Sequence, residues 1–245
     1  MSKFKYYLKE VNFTYILIAV NIFFFVISTV LSLLIKDQST ALQILGAESF
    51  VFITQAQFWR LLVSAFLHVS IIHLGFNMYS LWILGILIER YFGSKRFLVV
   101  YVLAAIGGNL LTVMIEGLNH ISNPSYNDSL SVGASGAIFG LFGLAFGATI
   151  FNKRYGLSLP IDRNNLLAVI GLNLIFDLII PDINIFAHLG GLLVGIALAL
   201  LITPLPHKVD WRDKLIEVGF YFSLFLLLAS FVAEIVYIIK SYVGS

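Results

Sequence analysis

The chain has 245 residues, of which 60% are hydrophobic and only 11% are charged, and its mean hydropathy is +0.96. Soluble domains contain roughly 45 to 50% apolar and about 25% charged residues, so this composition excludes a soluble globular domain and indicates a membrane protein. The formal net charge of +2 indicates no nucleic-acid partner, and the absence of cysteine excludes disulfides and thiolate chemistry.

Seven apolar runs follow in chain order, and we predict that each forms a transmembrane helix. About 20 apolar residues are needed to cross a hydrocarbon core about 30 Å thick. The runs are residues 13–35, 71–88, 97–115, 133–151, 166–180, 185–202 and 218–239. All five prolines lie between these runs, as expected when the runs are helices. The predicted fold class is therefore an all-α polytopic membrane protein.

Basic residues set the orientation of these spans. Three of the fifteen lysines and arginines lie on one side of the predicted membrane, namely Lys36, Arg60 and Lys240. The other twelve lie on the opposite side, and they are Lys3, Lys5, Lys9, Arg90, Lys95, Arg96, Lys153, Arg154, Arg163, Lys208, Arg212 and Lys214. Because positively charged loops stay in the cytoplasm, we expect a cytoplasmic N-terminus and an external C-terminus. We see no organellar presequence, so we expect a bacterial cell membrane.

The second, fourth and sixth spans all begin on the outer side in this topology. Ser135 lies in Gly133-Ala134-Ser135-Gly136 at the start of the fourth span, and His188 lies one turn into the sixth. At 1.5 Å per residue, each lies on the order of 5 to 7 Å below the outer boundary. A neutral imidazole at hydrogen-bond distance takes the proton of a weakly nucleophilic hydroxyl. The sequence therefore predicts Ser135 as nucleophile and His188 as its base.

No carboxylate is spaced as a triad with His188 would demand. Asp177 and Asp182 are near in sequence, but each fits equally well as an interfacial charge at the outer end of the fifth span. We therefore favour a Ser/His dyad. Phe139, one turn after Ser135 on the same helix face, is the predicted stacking partner of the imidazole.

Oxyanion donors are predicted near the outer end of the second span. His73 and Asn77 are four residues apart, so they share a helix face, and both side chains carry N–H groups. Together with the Ser135 backbone N–H at the positive end of a helix dipole, they form a candidate oxyanion hole. The alternative for Asn77 is a hydrogen bond to a neighbouring helix, which is common for asparagine in lipid.

Small residues provide the close helix approach that this dyad requires. The glycines at helical spacing are Gly136, Gly140, Gly143 and Gly147 in the fourth span, and Gly191 and Gly195 in the sixth. Such residues let membrane helices pack tightly. On its own the stripe indicates helix packing, and its alignment with Ser135 and His188 is what connects it to the predicted site.

These residues resemble the rhomboid intramembrane serine proteases. The match covers roughly residues 58–201 and consists of Trp59-Arg60, His68, His73-x-x-x-Asn77, the G-x-S-G of Ser135 and Ala187-His188-x-x-Gly191. The combination in this order across separate helices is specific, whereas G-x-S-G alone occurs by chance in glycine-rich helices. Some relatives carry tyrosine where this chain has Phe139, which leaves the stacking intact and removes a hydroxyl.

The resemblance implies a fold and a function. It implies a rhomboid-like six-helix bundle with an additional seventh transmembrane helix, a Ser135/His188 dyad, an oxyanion site that uses His73 and Asn77, and cleavage of single-span membrane proteins near the outer face. The corresponding division of the chain is a cytoplasmic segment 1–12, a catalytic core 13–203, a cytoplasmic linker 204–217, and a seventh helix with a short external tail 218–245.

Five further residues are predicted to support the site: Gly133, Gly136, Gly191, Arg60 and His68. Arg60 can donate to backbone carbonyls or to a carboxylate such as Glu48 and thereby order the external loop, or it can be an ordinary interfacial anchor beside Trp59. His68 either supports the site by hydrogen bonding or simply lies in the interface.

The sequence thus predicts an intramembrane serine endopeptidase whose partners are transmembrane protein substrates and the lipid bilayer. It specifies no oligomeric state. No cofactor is implied, and no metal is expected, because no acidic residue accompanies His68 and His73 at ligand spacing. The alternatives are a catalytically inactive relative that binds or escorts membrane helices, and a seven-helix transporter.

Overall fold

The computed structural model describes residues 13–123, 125–126, 129–151, 162–179, 183–202 and 211–243. The α-helices, numbered in chain order, are α1 (Phe13–Ile35), α2 (Gln38–Ile44), α3 (Phe50–Thr54), α4 (Arg60–Val63), α5 (Ile71–Phe92), α6 (Ser94–Ser122), α7 (Ser135–Phe151), α8 (Arg163–Ile179), α9 (Ile185–Leu198) and α10 (Trp211–Ile238). A π-helical turn, Leu81–Gly85, lies within α5, and another, Ile239–Val243, extends α10. The predicted all-α polytopic fold is confirmed.

The outer surface of the bundle is apolar, as a lipid-exposed protein requires. Within the described ranges, four helices, α1, α5, α6 and α10, are long and apolar enough to cross a membrane, and α7 and α9 are shorter apolar helices. Large apolar side chains cover the outside of the helices, among them Leu34, which is 75% exposed. Because such a surface is stable only in hydrocarbon, the protein is an integral membrane protein with several spans.

The helix bounds differ from the apolar runs where polar residues extend a helix beyond the lipid. α6 begins at Ser94 and ends at Ser122, so it is longer at both ends than the predicted residues 97–115. α10 begins at Trp211, before the predicted start at residue 218. The hydropathy pattern detects the apolar part of a helix, whereas the backbone hydrogen bonds that define its ends continue into the polar residues on either side.

The centre of the bundle is α9, which packs against both α6 and α7. Glycines allow these backbones to approach more closely than any other residue would. If Gly195 carried a methyl group, that group would lie 1.9 Å from the Gly140 carbonyl oxygen, and a methyl group on Gly190 would lie 2.7 Å from the Gly107 carbonyl oxygen. Small residues at such crossings allow close van der Waals contact between membrane helices. α9 therefore holds its side chains at fixed positions between two neighbours.

The end of the bundle where α1 begins is held by a buried carboxylate. Glu89 of α5 accepts hydrogen bonds from the Phe13 N–H at 3.0 Å, from the Thr14 N–H at 2.9 Å and from the Thr14 hydroxyl at 2.7 Å. The N–H groups of the first turn of a helix have no acceptor within the helix itself, and Glu89 supplies one for α1. The helix dipole also favours a negative charge at this end. The first helix is thereby fixed to the second span.

The segment between α1 and α5 is structured rather than an open loop. It contains α2, α3, α4 and a 3₁₀ turn, Ser64–Phe66, and Glu48 forms an isolated antiparallel bridge with Ser131. Arg60 at its centre is 1% exposed. The external segment before the second span therefore consists of short helices packed on the bundle.

Several residues used in the sequence analysis lie outside the described residues. Asp182 is one of them. The others are the basic residues Lys3, Lys5, Lys9, Lys153, Arg154 and Lys208, together with the segment 1–12 and the first half of the linker, residues 204–210. The orientation in the membrane and the domain boundaries stay predictions.

Candidate active site

Ser135 is the first residue of α7, and the turn before it depends on Gly133. Gly133 has a φ of +128°, a conformation that residues with a Cβ rarely adopt. Its N–H donates to the Ser64 carbonyl oxygen at 3.0 Å, which ties the turn to the 3₁₀ segment after α4. Ser135 is half-buried at this helix start.

Asn109 on α6 holds the other side of this connection. Its amide nitrogen donates to the Leu61 carbonyl oxygen and to the Ser64 hydroxyl, both at 2.9 Å. Neither Asn109 nor Ser64 was predicted from the sequence to belong to the site. Their roles follow from contacts between segments more than 40 residues apart, which sequence spacing does not reveal.

His188 lies in the first turn of α9 and is 6% exposed. Asn184 caps this helix: its side-chain oxygen accepts from the Ala187 N–H at 3.1 Å. The amide nitrogen of Asn184 donates to the Thr112 hydroxyl at 2.9 Å and to the Ser131 hydroxyl at 3.0 Å. The cap thus fixes the start of α9 to α6 and to the strand-like segment before Ser135.

The helix starts that carry Ser135 and His188 face each other at very short range. A methyl group on Gly136 would lie 3.2 Å from the Ala187 carbonyl oxygen, and one on Gly191 would lie 2.0 Å from the Gly136 carbonyl oxygen. The immediate neighbours of Ser135 and His188 are therefore in contact. This is the close approach that the sequence analysis expected of Gly136 and Gly191.

The His188 imidazole is held on its face by Phe139. Their ring centroids are 4.2 Å apart and their planes differ by 11°, so the rings are stacked. Phe139 is 4% exposed and lies one turn after Ser135 on the same helix. The stacking that the i, i+4 spacing predicted is present in the structure.

Asp177 of α8 contacts the same imidazole. Its Oδ2 atom lies 2.6 Å from His188 Nδ1, and both side chains are buried. The expectation that no carboxylate reaches His188 is therefore wrong. The two residues are eleven apart and lie on different helices, so the i, i+4 rule for one helix does not apply. The available signal was an ionisable residue at membrane depth.

His73 lies beside Ser135 at the glycine turn. A methyl group on Gly133 would lie 2.8 Å from His73 Nε2 and 3.7 Å from Ser135 Oγ, so these two atoms flank the same point. The Asn77 amide nitrogen donates to the His73 carbonyl oxygen at 3.2 Å, within the same helix. The His68 ring packs edge-on against the His73 ring, with centroids 4.9 Å apart. The second span therefore brings His73 to the start of α7, whereas Asn77, four residues later, bonds to the backbone of its own helix.

Arg60 holds together the segment between α1 and α5, which we call the outer segment. Its Nη1 donates to the carbonyl oxygens of Gln43 at 2.7 Å and Ala47 at 2.9 Å, and its Nε donates to the Gln57 side chain at 2.7 Å. Donation to backbone carbonyls is one of the two alternatives that the sequence left open. Among the described residues, no group of three or more His, Asp or Glu side chains is arranged to hold a metal ion.

A comparison with known protein families decides the identity of this fold. The family model of the Rhomboid domain matches residues 55–205, which include each residue of the site described above. The chain belongs to the rhomboid family. Rhomboids are intramembrane serine proteases, and the site at the starts of α5, α7 and α9 is thus the candidate active site of a rhomboid.

Individual rhomboids from bacteria and plants are similar to this chain. Rhomboid protease GluP of Bacillus subtilis is 34% identical over 187 residues, which cover 75% of this chain and 33% of that protein. RHOMBOID-like protein 6, mitochondrial, of Arabidopsis thaliana is 34% identical over 71% of this chain and 53% of its own length. Rhomboid protease AarA of Providencia stuartii is 28% identical over 89% of this chain and 82% of its own. This rhomboid therefore spans a third to a half of the first two relatives.

Proposed function

We propose that this rhomboid is a serine endopeptidase that cleaves transmembrane segments, with Ser135 as nucleophile and His188 as general base. The observation that carries the proposal is the His188 imidazole stacked on Phe139, one helical turn from Ser135, at the point where Gly136 and Gly191 bring α7 and α9 together. Two names among the similar proteins, Rhomboid protease GluP and Rhomboid protease AarA, support a proteolytic activity.

The chemistry begins with transfer of the Ser135 hydroxyl proton to His188 Nε2. Ser135 Oγ forms a bond to the carbonyl carbon of the scissile peptide, and the carbonyl oxygen takes up the negative charge. The imidazolium then returns the proton to the leaving nitrogen as the C–N bond breaks, which leaves an acyl-enzyme and a free amine. A water molecule repeats the sequence on the ester and releases the new carboxylate and Ser135.

The negative oxygen requires hydrogen-bond donors that are already in place. His73, whose Nε2 flanks the glycine turn beside Ser135, is one proposed donor. Asn77 is the second, because an amide carries two N–H groups and its bond to the His73 carbonyl uses only one. The Ser135 backbone N–H at the start of α7 is the third, and such donors stabilise charge most strongly where water is largely excluded.

The site lies at the helix starts, so the positive-inside orientation predicted from the sequence places it near the outer face of the membrane. Hydrolysis at that depth requires water, so the proposal requires a polar opening to the outer side. A substrate helix has to unwind before Ser135 attacks, because its backbone is otherwise hydrogen-bonded. We therefore expect substrates with glycine, proline or small residues near the cleaved bond. The bacterial cell membrane expected from the sequence stays a prediction.

Purified full-length protein in detergent tests the proposal. A single-span membrane protein with a helix-weakening segment near its outer end is incubated with the wild type, with Ser135→Ala and with His188→Ala. Matched controls are Ser122→Ala, an exposed serine at the end of α6, and His120→Ala, whose ring stacks on Phe50. The wild type and both controls should cut the substrate, and the two site variants should leave it intact.

The same samples separate the proposal from a catalytically inactive relative that binds membrane helices. A serine-directed fluorophosphonate should label the wild type and not Ser135→Ala, because only an activated serine reacts. A wild type that binds the substrate without cutting it and is not labelled would instead support a helix-binding relative. Equal cutting by all five proteins would show that neither Ser135 nor His188 carries the reaction.

A further inference from the structure

The carboxylate of Asp177 contacts His188, and the proposed Ser/His chemistry gives this carboxylate no role. Asp177 and His188 are 9% and 6% exposed, and the closest atoms of their side chains are 2.6 Å apart. We infer that Asp177 is a positioning residue, which fixes the imidazole with Nδ1–H toward α8 and leaves Nε2 free to accept the Ser135 proton. The inference deepens the proposed function and rests on it.

The surroundings of Asp177 argue against an interfacial charge. Its neighbours on α8 point outward, since Phe176 is 48% exposed and Leu178 is 75% exposed. Of the seventeen residues of α8, only Leu166, Ile170 and Asp177 are buried, and their spacing places them on one face. The carboxylate therefore lies on the face of α8 that packs on the bundle. An interfacial charge would instead lie on the exposed face, from which it could reach the lipid headgroups.

The direction of the contact decides which ring nitrogen serves Ser135. An imidazole has two nitrogens, and in the neutral ring one donates while the other accepts. A carboxylate that accepts from Nδ1–H selects the tautomer in which Nε2 carries the lone pair. Phe139 holds the ring by its face and Asp177 holds it by its edge, so two helices other than α9 determine its rotation.

The same carboxylate stabilises the charge that His188 acquires during the reaction. When Nε2 takes the Ser135 proton, the ring becomes an imidazolium beside a carboxylate in a buried site, where an opposite charge interacts strongly. His73, on α5, also interacts electrostatically with His188. Asp177 is the acidic side chain in direct contact with the ring.

The test compares Asp177→Asn with the wild type in the detergent assay. Asparagine keeps the size of the side chain and removes its charge, so kcat should fall between about 10-fold and 10⁴-fold, the upper value being that of the equivalent loss in a serine protease triad. KM should stay the same, because Asp177 lies behind the base and does not touch the substrate. Asn173→Ala, an exposed polar residue one turn earlier on α8, is the matched control and should keep the wild-type kcat.

A spectroscopic measurement tests the contact without relying on cleavage. In protein labelled with ¹⁵N-histidine, the wild type should show His188 as the Nδ1–H tautomer with a strongly deshielded Nδ1 proton. The resonance is assigned by its loss in His188→Gln. Asp177→Asn should move that proton upfield and mix the tautomers, whereas Asn173→Ala should leave it unchanged.

The outcomes for the inference and for the proposed function are separate. A wild-type kcat in Asp177→Asn, or an unchanged His188 spectrum in that variant, overturns the positioning role while Ser135→Ala still tests the protease. If the wild type fails to cut and to react with the phosphonate, the proposed function falls. The tautomer comparison then still decides whether Asp177 holds the ring.

Discussion

The ring of Phe139 lies flat against the imidazole of His188, with centroids 4.2 Å apart. Phe139 and the nucleophile candidate Ser135 are on the same face of α7, four residues apart, whereas His188 comes from α9. A single helix therefore carries both the hydroxyl and the surface that sets the angle of its base. Any change in how α7 and α9 pack alters the two together.

Removal of this surface should slow the reaction without abolishing it. An aromatic stack contributes about 0.5 to 1.5 kcal/mol beyond burial, so we expect Phe139→Ala to lower kcat about 2- to 10-fold. Phe139→Tyr keeps the ring and should keep most of the activity. Kinetics with a transmembrane substrate provide the measurement, and Phe222→Ala, a 53% exposed ring on α10, is the control. A wild-type kcat in Phe139→Ala would show that Asp177 alone is sufficient to hold the imidazole.

A methyl group on Gly133 should disturb the oxyanion side of the site. Gly133→Ala combines a φ of +128° with an added atom 2.8 Å from His73 Nε2, so the turn and the His73 ring both have to move. We expect kcat to fall by about 10²-fold or more, comparable with the loss of one oxyanion donor. Gly75→Ala, where an added methyl meets no neighbour within 4 Å, is the matched control. Equal rates in the two variants would contradict the assigned position of His73.

The crossing of α7 and α9 should tolerate no added atom at Gly191. The methyl of Gly191→Ala would lie 2.0 Å from the Gly136 carbonyl oxygen, and a backbone atom cannot rotate away as a side chain can. We expect a loss of about 1 to 3 kcal/mol in the free energy of unfolding, with reduced labelling of Ser135, because the helices have to separate. Thermal unfolding in detergent measures the first effect and fluorophosphonate labelling the second.

The control for this crossing is Gly171→Ala on α8, where an added methyl has no neighbour within 4 Å. It replaces glycine by a better helix former, so it should unfold at the same temperature as the wild type or slightly above it. If Gly191→Ala behaves in the same way, the close approach of the two helices is not required for the fold.

The spans were predictable because hydrophobicity over about 20 residues is a local property. α1 coincides with the predicted residues 13–35, since the apolar run ends directly at Lys36. The short helices between α1 and α5 were not predicted, because helices this short are unstable alone and depend on tertiary contacts. Arg60, which binds the Gln43 and Ala47 carbonyls, is one of these contacts.

Within the site, the sequence predicted residue types and helix positions but not the contacts between helices. Phe139 follows from its spacing to Ser135, because both residues lie on α7. Asp177 and Asn184 could not be predicted in this way, because they contact residues in other segments. The sequence of a helix does not determine the angle at which it crosses its neighbour. The local signal for Asp177 was an acidic residue within an apolar run.

The oxyanion donors should affect turnover rather than substrate binding. We expect His73→Ala and Asn77→Ala each to lower kcat about 10²- to 10³-fold and to leave KM nearly unchanged, because these donors act on charge that exists only in the transition state. Steady-state kinetics in detergent test this, and Asn119→Ala at the end of α6 is a control of the same residue type. An increase in KM with unchanged kcat would assign the two residues to substrate binding instead.

Arg60 should act on the site through the outer segment. Its guanidinium is buried and donates to two backbone carbonyls and one side-chain amide. The ammonium of lysine cannot donate in the same planar, multi-directional geometry. We expect Arg60→Lys to lower the free energy of unfolding by about 2 to 4 kcal/mol, because buried acceptors lose a charged donor. Thermal unfolding measures this, with the exposed Arg90→Lys as the control.

A smaller activity loss should accompany the change at Arg60, for a structural reason. Arg60 begins α4, and the 3₁₀ turn that follows α4 contains Ser64, whose carbonyl oxygen accepts the Gly133 N–H at 3.0 Å just before Ser135. Looser packing of α4 therefore loosens the turn that positions the nucleophile. Ser135 labelling by the phosphonate should slow in Arg60→Lys and not in Arg90→Lys. Identical labelling rates and unfolding temperatures in the two variants would show that the outer segment does not need the guanidinium.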